Sequence, residues 1–235
     1  SMRPDDNIKA NYVSLQTLYV IRKLFNLKII CLLMDQAYKN FHVSDNLVRF
    51  VDFALVNEHR SVFDGFTQFP EKHIEIPVIH SVKFVSSPDK PRTIDIGFIG
   101  GVGGRYPIER EMGIAAMKSA GLDVVNPGGR SVGQRKISND EYLRFLKEAK
   151  IIINWSRHIS GNWFQAKGRI FEATLSGALL LSEECEAVNE FFTPYKDYIP
   201  FSDPRELVEK AKFYLKNESA RLKISKSGHL VAKKY

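Results

Sequence analysis

Residues 167–182 constrain the fold of this chain most, because a short helix there passes directly into an apolar strand. The small and apolar positions of the helix form two adjacent rows, Ile170, Thr174 and Gly177 in one and Phe171, Leu175 and Ala178 in the other. Such a seam is typical of a helix that packs on a sheet. Gly177 fits the left-handed position at which many helices end, where a residue with a Cβ is strained. We therefore predict a helix, an immediate turn and a buried strand.

A polar loop precedes this helix and follows an apolar strand that ends near Asn154. The loop contains Arg157 and His158 and ends at Lys167, and the helix carries a single carboxylate, Glu172. In an open α/β sheet, the ligand crevice lies at the carboxyl ends of the strands. We therefore expect these polar side chains to surround a ligand.

The rest of the chain alternates apolar runs with helical patterns. In residues 1–90 the apolar runs fit strands at 27–34, 53–58 and 74–77. In residues 91–235 they fit strands at 93–99, 123–125, 151–155, 178–182 and 198–201, with helices between them. Residues 86–91 hold two prolines and no apolar residue, which is typical of a linker. The alternation predicts an α/β fold with parallel sheets, divided into two domains, 1–90 and 91–235.

A glycine-rich loop, residues 100–105, connects the strand at 93–99 to the following helix. Backbone N–H groups in such a loop, close to a helix N-terminus, favour an anion. Gly101 and Gly103 fit the start of the dinucleotide-binding fingerprint, but Tyr106 stands where its third glycine is required. The pattern therefore disfavours NAD and leaves two interpretations open, a backbone that approaches a diphosphate or acceptor and a plain tight turn.

Four basic residues are candidates for binding an anion. Arg105 and Arg110 lie at the start of a helix, where positive charge opposes the helix dipole, so helix stability does not explain them. Lys167 and Arg169 lie at the start of the later helix, and such side chains suit phosphate oxygens. The alternatives are solvated arginines and an Arg169–Glu172 surface ion pair of under about 1 kcal/mol.

The motif that runs from Lys167 through Arg169 to Phe171, Glu172 and Ala173, followed by Ser-Gly-Ala at 176–178, resembles glycosyltransferases of the GT-B fold. The likeness is to their C-terminal half in the "glycosyl transferases group 1" superfamily, especially its CgeB-like branch. Residues 98–101 and 201–207 support it, and it extends over residues 94–230. The resemblance implies two Rossmann-like units. The N-terminal unit would be incomplete, since the corresponding acceptor-side domain is considerably longer.

The resemblance also implies a function, namely transfer of a sugar, hexosyltransferase-like, from a nucleoside-diphosphate donor to a glycan, protein or lipid acceptor. In that family the residue that matches Glu172 binds the ribose hydroxyls, and basic residues bind the diphosphate. The resulting set of nucleotide-sugar ligands is Gly101, Gly103, Arg105, Arg110, Asn154, Arg157, Lys167, Arg169 and Glu172. Phe164 stands where many relatives carry a second glutamate that contacts the sugar. The catalytic residue is unknown, and His158 is the one candidate in the expected crevice.

Metal and other cofactors are not expected, because the sequence contains no His-x-x-His, Asp-x-Asp or paired-cysteine motif. The donor nucleotide sugar is the only small molecule implied. Two isolated cysteines, Cys31 and Cys185, favour a reducing compartment, and no run is long enough to cross a membrane. The absence of a signal-peptide pattern completes the prediction of a cytoplasmic protein.

The net charge of +7 leaves two further interpretations open. The first is a non-catalytic nucleotide- or glycan-binding remnant that serves as a partner module. The second is a basic segment, 210–234, that contacts an anionic membrane or nucleic acid. Apolar residues within that segment favour an amphipathic helix packed on the fold instead. We therefore expect no nucleic-acid partner, while a peripheral membrane contact stays open.

Overall fold

The computed structural model describes residues 14–33, 46–56, 68–76, 81–104, 106–128, 135–158 and 164–235. Contacts divide the chain into two compact units, Ser1–Ile76 and Pro77–Tyr235. Residues 86–91, predicted as a linker, belong to the second unit, where the main-chain nitrogen of Ser86 donates to the Leu175 carbonyl at 3.0 Å. The prediction of an acceptor-side domain at 1–90 and a donor-side domain at 91–235 stays a prediction.

The first unit is a small parallel sheet. Its described elements are α1 (Leu15–Phe25), β1 (Ile30–Leu33), β2 (Phe53–Val56) and β3 (His73–Glu75), with strand order β1-β2-β3. Parallel pairing buries Leu33, Val48, Ala54 and Val56 as its core. The βαβ-like order predicted for this part is therefore confirmed as a parallel sheet.

The second unit is a five-stranded parallel sheet with helices on both faces. Its strands are β4 (Ile94–Gly97), β5 (Val124–Val125), β6 (Ala149–Asn154), β7 (Leu179–Glu183) and β8 (Ile199–Phe201). Its helices are α2 (Ile108–Ser119), α3 (Asn139–Glu148), α4 (Gly168–Leu175), α5 (Glu186–Asn189), α6 (Pro204–Lys216) and α7 (Glu218–Ala232). The strand order is β5-β4-β6-β7-β8, with every pair parallel.

The central strands β6 and β7 are apolar on both faces, because helices cover both sides of the sheet. Ile151, Ile153 and Leu179 join the core cluster beneath α2 and α6. Ile152 and Leu180 point the other way and join the cluster beneath α3 and α4. Continuous apolar runs in the sequence therefore correspond to doubly buried strands.

The strand order places a topological switch between β4 and β6. From β4 the chain forms β5 on one side and then returns to form β6 on the other. Connections on opposite faces diverge at such a point and open a crevice outside the carboxyl ends of the two strands. The loops that begin at residues 98 and 155 lie at this crevice.

Arg92 lies at the amino-terminal ends of the strands, opposite the crevice, and hydrogen-bonds to main-chain carbonyls there. Its Nη1 donates to the carbonyl oxygens of Lys147 at 3.0 Å and Ala149 at 2.8 Å, and its Nη2 donates to that of Ser176 at 2.7 Å. One guanidinium thus satisfies carbonyls at the C-terminal ends of both α3 and α4, which otherwise lack partners. Burial, and secondarily the charge of Arg221, lowers the pKa of Arg92 to about 10.

Gly177 ends α4 with a φ of +80°, as predicted, and its surroundings leave no room for a side chain. An added Cβ would lie 2.6 Å from Nη2 of Arg92 and 2.7 Å from the nitrogen of Pro88.

We expect Gly177→Ala to lower the free energy of unfolding by about 3 kcal/mol, since backbone strain and a clash add. Gly121, at φ +75° with no atom within 4 Å, is the matched control. Gly121→Ala should lose only about 1 kcal/mol in urea denaturation, and equal losses would contradict the clash.

The basic segment 210–234 forms most of α6 and α7, which pack on the second unit. Ala211, Ile224 and Ala232 are buried in its cores, and His229 approaches the Thr174 carbonyl at 3.1 Å. The prediction of an amphipathic segment packed on the fold is therefore confirmed. Among the described residues, none of the helices has the length and hydropathy needed to cross a membrane.

Candidate functional site

Arg110 in the first turn of α2 turns back onto the glycine loop. Its Nη1 donates to the Gly101 carbonyl at 3.1 Å, and its guanidinium carbon lies 5.0 Å from the centre of the Tyr106 ring. Only 6% of the residue is exposed. An added Cβ at Gly101 would lie 1.8 Å from the Tyr106 ring. The glycine therefore makes room for that ring against the loop.

Lys167 lies at the N-terminus of α4 and is anchored by two main-chain oxygens. Its Nζ donates to the carbonyls of Trp155 at 2.6 Å and Arg157 at 2.7 Å. Burial lowers the pKa of Lys167 well below its usual value, and the neighbouring charges of Arg110 and Arg169 lower it further. The side chain thus brings a point charge to the crevice from the loop after β6.

Arg169, in the first turn of α4, covers the end of β4. Its guanidinium carbon is 5.3 Å from the centre of the Phe98 ring, and an added Cβ at Gly100 would lie 3.1 Å from Nη2. The Nε and Nη1 atoms are inaccessible to solvent and find no hydrogen-bond acceptor among the described residues. Nε of Arg110 is likewise inaccessible to solvent and has no hydrogen-bond acceptor among the described residues. A buried donor without an acceptor costs free energy of folding, so donors left in this state are candidates for binding a ligand.

The charges around this cluster do not balance. Burial lowers the pKa of Arg110 to about 10, and Arg169 adds to that effect. Glu183, at the end of β7, accepts from the main-chain nitrogen of Arg157 at 2.9 Å. The side chain of Arg157 lies 3.4 Å from Glu183 and 3.5 Å from Glu109. Among the described residues, Arg110, Lys167 and Arg169 form no ion pair with a carboxylate, and such unpaired positive charge favours an anion.

Glu172 lies on α4, one turn beyond Arg169. The Tyr142 hydroxyl on α3 donates a hydrogen bond to Oε2 of Glu172. No ion pair joins Arg169 to Glu172 in the part of the chain that the structure describes, so the alternative of a surface salt bridge is not supported. Both residues remain oriented toward the carboxyl end of the sheet by the same short helix.

The other predicted site residues occupy different environments. Asn154 is fully buried at the end of β6, where its Nδ2 donates to the hydroxyls of Ser156 at 2.9 Å and Ser182 at 3.0 Å. His158 follows it and is 5% exposed. Gly103 has a φ of +72°, and its Cβ position lies 3.7 Å from Glu111. Arg105 lies outside the described residues.

Trp155, which directly follows β6, is a core residue. It is 2% exposed and packs edge-on against Phe98 at 5.0 Å and Phe201 at 5.9 Å between ring centres. Trp163 lies outside the described residues. Large aromatics near strand ends are usually core, and Trp155 follows that rule.

Sequence reasoning did not identify Tyr142 or Glu183 as residues of this site. Glu183 had a signal, since it is a carboxylate at the carboxyl end of an apolar run. Tyr142 had none, because its helical position predicted only an inward-facing side chain.

Among the described residues, no group of three His, Cys, Asp or Glu side chains could hold a metal ion.

A cavity of about 360 Å³ lies at the opposite edge of the sheet, lined in part by Arg92, Lys150 and Arg221. These three cations already contact other groups of the fold. Arg92 caps two helices, Lys150 pairs with Asp95 at 2.6 Å, and Arg221 pairs with Glu218 at 2.9 Å. These cations hold helix ends and surface ion pairs, whereas the crevice lies at the carboxyl ends of the strands, and we assign the candidate site to the crevice.

Residues 109–235 match the family model described as "Glycosyl transferase-like". No curated protein matches the chain. The match includes Arg110, Arg157, Lys167, Arg169 and Glu172, and thus most of the site.

Solved structures share the fold at low sequence identity. HepE (Alr3699) from Anabaena, solved with UDP-glucose, is 12% identical with a TM-score of 0.68, covering 94% of this chain and 72% of that one. Sucrose-phosphate synthase from Thermosynechococcus elongatus is 11% identical with a TM-score of 0.63, covering 94% and 66%. An α1,3-fucosyltransferase solved with GDP-fucose is 14% identical with a TM-score of 0.56, covering 86% and 67%. The prediction of an α/β fold with Rossmann-like parallel sheets, as in GT-B glycosyltransferases, is confirmed.

Proposed function

The chain belongs to the Glycosyl transferase-like family, and we propose that it transfers a sugar from a nucleoside-diphosphate donor to an acceptor. The observation that carries the donor assignment is the cluster of Arg110, Lys167 and Arg169 at the switch between β4 and β6. Three buried or half-buried cations converge there, and guanidinium nitrogens of the two arginines find no acceptor among the described residues. A diphosphate supplies negative charge to all three cations and acceptor oxygens to the guanidinium nitrogens that lack them.

The placement of Glu172 supports a nucleotide over a simple anion. Arg169 and Glu172 are three residues apart on α4, so their side chains leave the same side of the helix. A carboxylate can accept hydrogen bonds from two adjacent hydroxyls at once. The diphosphate would lie on the cation cluster and the ribose on Glu172. Gly101 and Gly103 would contribute to the donor site through the loop backbone, which is one of the two interpretations that the sequence leaves open.

Catalysis would depend on electrostatic stabilisation of the departing nucleoside diphosphate. Arg110, Lys167 and Arg169 are already in place before the bond breaks, so little reorganisation accompanies the charge that develops on the leaving group. In this scheme side chains take the role of a metal ion, and transfer is metal-independent. We assign no catalytic base. His158 and the CgeB-like branch stay predictions.

A thermal-shift screen without metal tests the donor assignment. UDP and GDP come first, because the neighbouring structures hold UDP-glucose and GDP-fucose, and ADP, dTDP and CMP complete the set. A ligand at 100 times its dissociation constant stabilises the folded state by about 2.7 kcal/mol, which is a readily measured rise in melting temperature. We expect one nucleoside diphosphate to give such a rise, and EDTA to leave it unchanged.

Inorganic sulfate at the same ionic strength controls for non-specific anion stabilisation. A rise with sulfate equal to the rise with every nucleotide would contradict a nucleotide site. Donor binding without release of nucleoside diphosphate in a coupled assay would contradict the transferase and favour the alternative of a non-catalytic binding module.

A further inference from the structure

We propose that Tyr142 is a positioning residue, which fixes the Glu172 carboxylate so that the site selects ribose over 2′-deoxyribose. This inference rests on the proposed function. It concerns the contact between Tyr142 on α3 and Glu172 on α4, two residues that are 30 positions apart in the chain.

The geometry begins with the two helices. Both α3 and α4 cover the same face of the sheet, where Leu146 and Phe171 share one core cluster. The N-terminus of α3 is fixed by Ser138, whose hydroxyl accepts from the main-chain nitrogen of Glu141 at 3.2 Å. Tyr142 lies four residues after Ser138, in the turn that this cap fixes. Its hydroxyl donates to Oε2 of Glu172.

The Tyr142 ring is held from its other side by Phe84. The two rings meet edge-on, with centres 6.1 Å apart. Phe84 ends a single 3₁₀ turn, Val82–Phe84, which Ser81 caps through a 3.3 Å bond from the nitrogen of Lys83. Two residues later Ser86 bonds to the Leu175 carbonyl at the end of α4. The segment 81–86 thus connects the Tyr142 ring to the helix that carries Glu172.

This arrangement affects hydroxyl recognition through orientation. A glutamate on a helix surface has several rotamers, and a ligand that needs one of them bears the entropy of fixing it. A phenol that donates to one carboxylate oxygen selects a rotamer in advance. An ionised carboxylate has about four lone-pair sites, so one bond leaves capacity for two vicinal hydroxyls. Loss of the phenol hydroxyl should therefore weaken recognition of the ribose and leave recognition of the diphosphate unchanged.

The test is Tyr142→Phe, which removes one oxygen and keeps the ring against Phe84. Isothermal titration would measure UDP, GDP and ADP against their 2′-deoxy counterparts, with inorganic pyrophosphate as a probe of the cation cluster alone. We expect the wild-type protein to prefer the ribonucleotide, and Tyr142→Phe to reduce that preference by about three- to tenfold, the range for immobilising one side chain. Pyrophosphate affinity should stay unchanged. Tyr195→Phe, whose hydroxyl pairs with Lys210 instead, is the matched control.

A double-mutant cycle separates positioning from a direct contact. If Tyr142 acts through Glu172, Tyr142→Phe should have no further effect on selectivity in a Glu172→Ala background. An undiminished preference in Tyr142→Phe, or an additive loss in the double variant, would overturn the inference and leave the donor site intact. A wild-type protein that binds pyrophosphate but no nucleoside diphosphate would overturn the proposed function, and this inference with it.

Discussion

Replacing Arg169 with methionine is expected to weaken binding of the donor nucleoside diphosphate by about 10- to 100-fold. Hydrogen bonds to a charged group contribute about 1.5–3 kcal/mol, and about 1.4 kcal/mol corresponds to a factor of ten. Nε and Nη1 of Arg169 have no acceptor among the described residues, so they offer such bonds to a ligand at no expense to the protein's own contacts. Isothermal titration at two salt concentrations would measure the loss, together with the smaller salt dependence expected after removal of one cation.

The same variant is expected to be as stable as the wild-type protein without ligand, or more stable by up to about 2 kcal/mol. The charge of Arg169 contributes to the lowered pKa of both Lys167 and Arg110. A cation whose pKa is lower in the folded than in the unfolded state binds protons less well when folded, so it destabilises the fold at pH values below both pKa values. Removing Arg169 should raise both pKa values and relieve part of that cost at neutral pH.

This opposition of affinity and stability distinguishes a binding residue from a structural one. Arg205→Met is the matched control, because Arg205 pairs with Glu209 on the exposed surface of α6 at 3.0 Å. It should change neither property by more than about 0.5 kcal/mol. A marked fall in melting temperature for Arg169→Met, with donor affinity unchanged, would show that the cluster is structural.

Glu172→Ala is expected to weaken nucleoside-diphosphate binding by about 10- to 100-fold, while affinity for inorganic pyrophosphate stays within a factor of two or so of the wild-type value. The hydrogen bonds from the ribose hydroxyls to this charged acceptor would be lost, at a net cost of about 1.5–3 kcal/mol. The cation cluster would be untouched. Titration of both ligands into the same preparation provides the comparison, so that any loss of active protein affects them equally.

A surface carboxylate provides the control for Glu172. Glu209→Ala removes an exposed charge from α6 and should leave both affinities unchanged. Parallel losses of nucleotide and pyrophosphate in Glu172→Ala would mean that the carboxylate supports the cluster as a whole. Unchanged affinity for both ligands would remove Glu172 from the site.

Local features of the site could be predicted from the sequence because they depend on neighbours along the chain. Helical periodicity identified the buried rows of α4, and the left-handed φ of Gly177 followed from its place at the helix end. Alternating strands and helices implied parallel pairing, and parallel pairing placed the loops after β4 and β6 at the same edge of the sheet. The resemblance to GT-B glycosyltransferases was needed to assign the basic residues at 110, 167 and 169 to one ligand.

What the tertiary structure decided depends on which elements become neighbours in space. The bond from Tyr142 to Glu172, the carbonyls that hold Lys167 and the capping of two helices by Arg92 all join residues distant in sequence or in different elements. Trp155 is a core residue because Phe98, directly after the neighbouring strand β4, packs against it. Periodicity states which side of an element is apolar, but it does not state what lies opposite. That information arises from strand order and helix packing, which are properties of the whole unit and not of any one segment.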